Sequence, residues 1–114
     1  METRAILRMA RTTPLKAKRV IDLIKGKKAS EALTSLRFMP YRAARLVEKL
    51  LKSAVANAEQ KNRYVDIDTL RIKTAYVGQG PVMKRMETRA MGRANIIKKR
   101  TSHITIILEE EPKK

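Results

Sequence analysis

Residues 78–103, GQGPVMKRMETRAMGRANIIKKRTSH, set the strongest limit on what this chain can fold into. Seven cations (Lys84, Arg85, Arg89, Arg93, Lys98, Lys99 and Arg100) face one acid, Glu87, in a stretch whose apolar residues have no periodicity long enough to bury it. On either side lie two runs that read as strands, DTLRIKTAYV before and HITIIL after. A segment so cationic repels itself in water and gains nothing from being ordered alone. Held out between two anchored strands, it makes sense as an arm that enters something anionic.

The rest of the chain supports an anchor for such an arm. At 114 residues it is of common single-domain size, and a chain of this length buries roughly two thirds of its unfolded surface. Hydrophobic residues make up 43%, with one Phe, three Tyr and no Trp, so the core is aliphatic. Lys and Arg number 27 against 11 acids, a formal net charge of +16, which attracts polyanions. Nucleic acid is the first candidate and an anionic membrane surface the second. No apolar run approaches the roughly 18 residues of a spanning helix, and METRAILRMAR lacks the apolar core of a signal peptide. The absence of cysteine excludes disulfides, thiol catalysis and cysteine-based metal sites, and suits a reducing cytoplasm.

Residues 3–10 are β-compatible. Thr13 then reads as an N-cap with Pro14 at the first helical position, where a missing N–H costs nothing. Ala17, Val20, Ile21 and Ile24 follow on one helical face, and Gly26 suits the stop. Ser30 reads as a second N-cap with Glu31 in the first turn and Leu33 and Leu36 turned inward, in a helix that ends by Met39 because Pro40 follows. Residues 41–60 carry the longest stripe: Ala43, Val47, Leu50, Leu51, Ala54 and Ala58, with Arg42, Arg45, Lys49, Lys52 and Glu59 outside it and a Glu48–Lys52 pair in the favourable order. Its alanines call for a closely packed partner, and a sheet is the natural one. Period two follows, with Leu70, Ile72, Thr74 and Tyr76 on one side and Arg71, Lys73, Ala75 and Val77 on the other. Ile104, Ile106 and Leu108 alternate likewise. Between these strands an extended ribbon is expected, continued outward by Val82, Met83, Ile96 and Ile97, with Gly92 near the reversal and a solvated tail EEEPKK.

Most candidate sites reduce to structure. Gly78-Gln79-Gly80-Pro81 lacks the third glycine of a dinucleotide loop and the GK[ST] of a Walker loop, and reads as a bend. His103, the single histidine, has no cysteine or carboxylate cluster beside it, and so suits phosphate contact or a strand position better than a metal or a triad. Asp66 and Asp68 read as a strand-start turn. Three cationic clusters rise above ordinary solvated charge. They are Arg8, Arg11, Lys16, Lys18 and Arg19 at the first helix start, Lys25, Lys27 and Lys28 at its end, and the arm. The second is ambiguous, since a helix dipole favours cations at its C-terminus. Duplex-DNA readers present a recognition helix, and single-strand binders use aromatic platforms that this composition hardly supplies. Backbone and shape recognition of structured RNA fits best. The rival reading is a nucleoid-type DNA-binding protein or RNA chaperone; no nucleophile–base pair marks an enzyme.

The motifs now carry a resemblance. Thr13-Pro14 with Lys16, VIDLIKGK (20–27), SAVANAE (53–59) and, above all, GP-x-x-KR with RA-x-GRA-x-I-I-KKRTSHIT (80–105) resemble the family of bacterial large-subunit ribosomal protein number twenty-two, over nearly the whole chain. The resemblance implies an α+β fold of three helices on a small three-stranded antiparallel sheet with a long protruding β-hairpin, a structural role in the large ribosomal subunit, and no cofactor or homo-oligomer. Its implied partners are 23S-type rRNA, neighbouring large-subunit proteins and the nascent peptide in the exit tunnel. Carried over by position, Lys84, Arg85, Arg89 and Arg93 fall on the hairpin, Met91 and Gly92 at its tip, and Lys98, Lys99, Arg100, Thr101, Ser102 and His103 on its returning strand. Thr88 stands where the family usually has proline and Met91 where a cation is common, so the ribbon is less stiff and its tip less charged than the family norm.

Overall fold

The computed structural model describes residues 2–88 and 94–110, with the backbone alone at 83, 85–88 and 94–99. Strand β1 (Glu2–Ala10) leads into helix α1 (Pro14–Ile24). Thr13 caps that helix, its hydroxyl oxygen accepting from the Lys16 N–H at 3.4 Å, and Pro14 occupies the first helical position. Ala17, Val20, Ile21 and Ile24 are all buried, as their spacing requires. Gly26 ends the turn at φ +76°, a left-handed conformation in which a side chain is strained.

Helix α2 (Ala29–Phe38) starts earlier than its sequence suggests. Lys28, not Ser30, is the N-cap, and it offers no side-chain bond. The cause lies in the sheet. Residues 27 and 28 are pinned to strand β2 (Leu70–Gln79), because the Ile72 N–H donates to Lys27 O at 3.0 Å and Lys28 bridges Arg71. Ala29 then turns directly into the core, fully buried, and Ser30 falls inside the first turn. Met39 closes the helix ahead of Pro40 as expected.

Helix α3 (Arg42–Lys61) buries the whole predicted stripe, with Ala44 and Val55 added. Its alanines let it lie close against strand β5 (Ser102–Glu110) and β1, and Lys52 reaches Glu48 at 3.4 Å. The sheet is antiparallel in the order β1-β5-β2. Ile104, Ile106 and Leu108 of the central strand are completely buried under the helices, each such side chain stabilising the fold by about 1.5–3 kcal/mol. Asp66 caps a 3-10 turn (Ile67–Thr69) at the start of β2, its carboxylate accepting from the Asp68 N–H at 3.0 Å.

Two bulges reset the strands. In β2 the register slips between Ile72 and Thr74, so Lys73 is the extra residue. The alternation expected to keep Thr74 and Tyr76 on the side of Leu70 and Ile72 is thereby broken: Ala75 is buried with Leu70 and Ile72, and Tyr76 is 52% exposed. Lys73 itself reaches across to the Glu2 carboxylate. In β1 the slip falls between Leu7 and Ala10, with Met9 at φ 55°. At the other end, Glu109 and Glu110 extend β5 rather than starting the tail, paired with Arg71 and Leu70; residues 111–114 lie outside the described part.

Strands β3 (Met83–Thr88) and β4 (Ala94–Lys99) form a second, two-stranded antiparallel ladder, from Met83 opposite Lys99 to Thr88 opposite Ala94. The molecule measures 69 × 25 × 17 Å, which fits a ribbon projecting from a small body. The ribbon is not a plain continuation of β2 and β5. Between them stands a neck in which the Gly80 N–H donates to Thr101 O at 2.9 Å and the buried Thr101 hydroxyl donates to Pro81 O at 2.6 Å. Of the residues expected at the tunnel tip, Lys84 and Arg85 fall on β3, and Met91, Gly92 and Arg93 lie outside the described residues, as does Arg89 of the hairpin.

Candidate nucleic-acid interface

Helices α1 and α3 begin side by side, and between their first turns opens a cleft of about 860 Å³. Among the described residues six cations line it, Arg11, Lys16, Arg19, Arg42, Arg45 and Arg100, and no acidic side chain does. Neither helix carries an acid in its first turn. That arrangement runs against the helix dipole, whose positive end favours carboxylates. The cleft therefore holds an excess of positive charge, built where helix stability alone would place the opposite charge.

The individual cations differ in how free they are. Arg45 is committed to the fold: its guanidinium donates to Leu36 O and to Arg37 O and Met39 O, both at 3.1 Å, closing the C-terminal end of α2, and it meets Glu48 at 3.4 Å. Arg19 lies over the Tyr41 ring, 5.8 Å from its centre, within range of a cation–π contact. Arg11, Lys16, Arg42 and Arg100 have no carboxylate partner among the described residues. Arg100 is the link: it stands at the neck after β4 ends at Lys99, so one end of the arm runs straight into the cleft.

The predicted first cluster is thus divided. Arg11, Lys16 and Arg19 converge on the cleft, Lys18 is exposed on α1 away from it, and Arg8 sits beside Met9, Pro81 and His103 in a separate, mostly apolar depression. In the second cluster Lys28 is exposed, and the other two have partners within the protein. Lys25 pairs with Asp22 at 3.5 Å, and the Lys27 ammonium donates to the Ser35 hydroxyl at 3.5 Å. Lys84 is exposed on the arm; the side chains of Arg85, Lys98 and Lys99 lie outside the described part. Ser102, expected on the returning strand of the hairpin, instead begins β5, fully buried, its hydroxyl donating to Thr12 O at 2.7 Å. It is a strut between the sheet and the start of α1, not a surface contact. His103 is half-buried, and its Nδ1 accepts from the Met9 N–H at 3.0 Å, bracing the β1 bulge.

Among the described residues no cluster of His, Cys, Asp or Glu could hold a metal ion, and no helix is long and apolar enough to cross a membrane. The model of the ribosomal protein L22p/L17e family matches residues 5–109. The chain belongs to this family. Among its relatives, the large ribosomal subunit protein uL22 of Geobacter metallireducens is 52% identical over 111 residues, spanning 97% of this chain and all of that protein. The uL22 of Aquifex pyrophilus is 56% identical over 108 residues, 95% of this chain and 80% of its own length. That of a Thermoanaerobacter strain is 53% identical over 111 residues, 97% of this chain and 99% of its own.

Within this L22p/L17e chain, Arg42 and Tyr41 line the cleft, and sequence reading did not single them out as site candidates. Periodicity marks Arg42 only as lying outside the buried stripe of α3. A signal was present nonetheless: a helix opening on Tyr-Arg, with neither a capping side chain nor an acid, departs from what helix starts prefer.

Proposed function

We propose that this chain is a structural, non-catalytic constituent of the large ribosomal subunit that binds large-subunit rRNA through two joined basic surfaces, the α1–α3 cleft and the arm. The observation that carries this reading is the continuity at Arg100: a cleft lined, among the described residues, by six cations and no acid leads directly into a ribbon that carries Lys84 and the other arm cations. The globular part anchors, and the arm bridges RNA segments far apart in sequence, which helps them fold together during assembly. Family membership supports a further step, that residues 84–93 reach the peptide exit tunnel and stand beside the nascent chain. Neighbouring large-subunit proteins would then flank the body.

A tagged copy expressed in cells tests the first part. It is expected to travel with large subunits through a salt-containing sucrose gradient; migration with DNA alone would leave the nucleoid-type reading. For the tunnel, a photoreactive group at Met91 is expected to crosslink to nascent chains on stalled ribosomes. Ribosomes that contain the protein but give no crosslink at any chain length would remove the tunnel role and leave rRNA binding intact.

A further inference from the structure

We infer that the α1–α3 cleft is a receptor for one unpaired RNA nucleotide, its base stacked on the Arg19–Tyr41 pair and its phosphate held by Arg11, Lys16, Arg42 and Arg100. The inference rests on the rRNA-binding reading and adds which feature of RNA the body selects. Three observations carry it. The first is size: the cleft is open to solvent on one side, and at about 860 Å³ it has room for a nucleotide, within the roughly 300–1,000 Å³ of small-molecule sites. The second is the platform. The chain has only three tyrosines, yet one lines the cleft together with its six cations, 39% exposed and already paired with a guanidinium. Aromatic rings and arginine planes are the two surfaces on which extruded RNA bases stack. Pro40 and Leu46 add an apolar wall beside the platform, of use to a base and of none to a phosphate.

The third observation is the division of labour among the cations. Arg45 is held by three carbonyls and Glu48, and Arg19 by the tyrosine ring. The other four cations have no carboxylate partner among the described residues, and they come from separate parts of the chain: the turn before α1, α1 itself, the first position of α3 and the neck of the arm. Such convergence is what a phosphate on a bent, single-stranded backbone demands. A regular duplex would instead be followed by a row of cations along one surface.

The test uses the full-length protein and two fluorescently labelled RNA stems, identical except that one carries a single unpaired nucleotide. Anisotropy titrations at one fixed salt concentration are expected to favour the bulged stem by on the order of tenfold or more, the worth of one base on an aromatic ring. Tyr41→Leu is expected to abolish that preference; Tyr41→Phe keeps it. Equal wild-type affinity for the two stems, or a preference that survives Tyr41→Leu, would overturn the nucleotide site and leave rRNA binding standing. Failure of the wild type to bind either stem in a salt-dependent way would instead bring down the underlying reading. Should Tyr41→Leu not fold, a 4-thiouridine at the unpaired position of the bulged stem decides with wild-type protein. Its crosslink is expected at Tyr41 or Arg19, and a crosslink confined to the arm overturns the site.

Discussion

Gly80 shows how much of the arm's direction depends on single atoms. A Cβ at this position would lie 2.5 Å from the Thr101 hydroxyl oxygen and 3.3 Å from the Thr101 carbonyl carbon. That hydroxyl is already spent on Pro81 O, and Thr101 is buried, so it has little freedom to retreat. Gly80→Ala is expected to destabilise by about 1–3 kcal/mol, the usual cost of overpacking, and to re-aim the ribbon. Thermal melting checks the first effect, and backbone chemical shifts across residues 79–84 and 99–103 the second. A second residue-scale consequence concerns Glu2 and Lys73. The hydrogen bond and charge of Lys73 hold the Glu2 carboxyl below its ordinary value of 4.5, and Glu2 in turn raises Lys73 above 10.5. A depressed carboxyl contributes stability above its unfolded value and loses it as the pH falls through the folded one; the raised lysine loses its share as the pH rises through its own folded value. Both side chains are about half exposed to solvent, so screening keeps the effect small. Glu2→Gln is expected to flatten the acid limb of a urea-midpoint profile below about pH 4.5 and to leave neutral pH nearly unchanged.

At the scale of the element, the start of α3 sets helix stability against binding. Arg42 stands at the first helical position with an uncapped tyrosine before it. Arg42→Glu puts a carboxylate where the dipole favours one, and is expected to stabilise the protein by about 0.3–1 kcal/mol while weakening RNA binding. Calorimetry and a binding titration on the same sample check both signs; a variant both less stable and unimpaired in binding would contradict the assignment. What could be read in advance at this scale follows from what each element depends on. Helix α1 was legible because Thr13, Pro14 and the Ala17–Ile24 stripe are local signals, and α3 because its stripe is long. The start of α2 was not, since a strand distant in sequence pins residues 27 and 28. The inward turn of Ala75 was likewise hidden, because a bulge at Lys73 leaves no mark in a sequence that alternates cleanly on both sides of it.

Across the whole molecule, the body and the arm rest on different physics. The body has an aliphatic core under a three-stranded sheet, whereas a two-stranded ribbon by itself is at best marginally stable in water. Amide exchange on the free protein is expected to protect Val47, Leu51 and Ile106 strongly and the amides of β3 and β4 weakly. Equal protection in both would mean that the arm needs no partner to order it. The arm itself was plain in the sequence, because seven cations against one acid cannot be a buried segment. The cleft was not, because Arg11, Arg42 and Arg100 are brought together only by the packing of α1 on α3 and by the neck. The central claim, that this combined basic surface binds large-subunit rRNA by displacing counterions, is tested most directly by the salt dependence of that binding. With about six phosphate contacts, log affinity against log salt is expected to fall with a slope on the order of −4 to −5. Replacing Arg11, Arg42 and Arg100 together by glutamine is expected to make it shallower by roughly 2–3. A wild-type affinity indifferent to salt, or a slope that the triple variant leaves unchanged, would contradict the account.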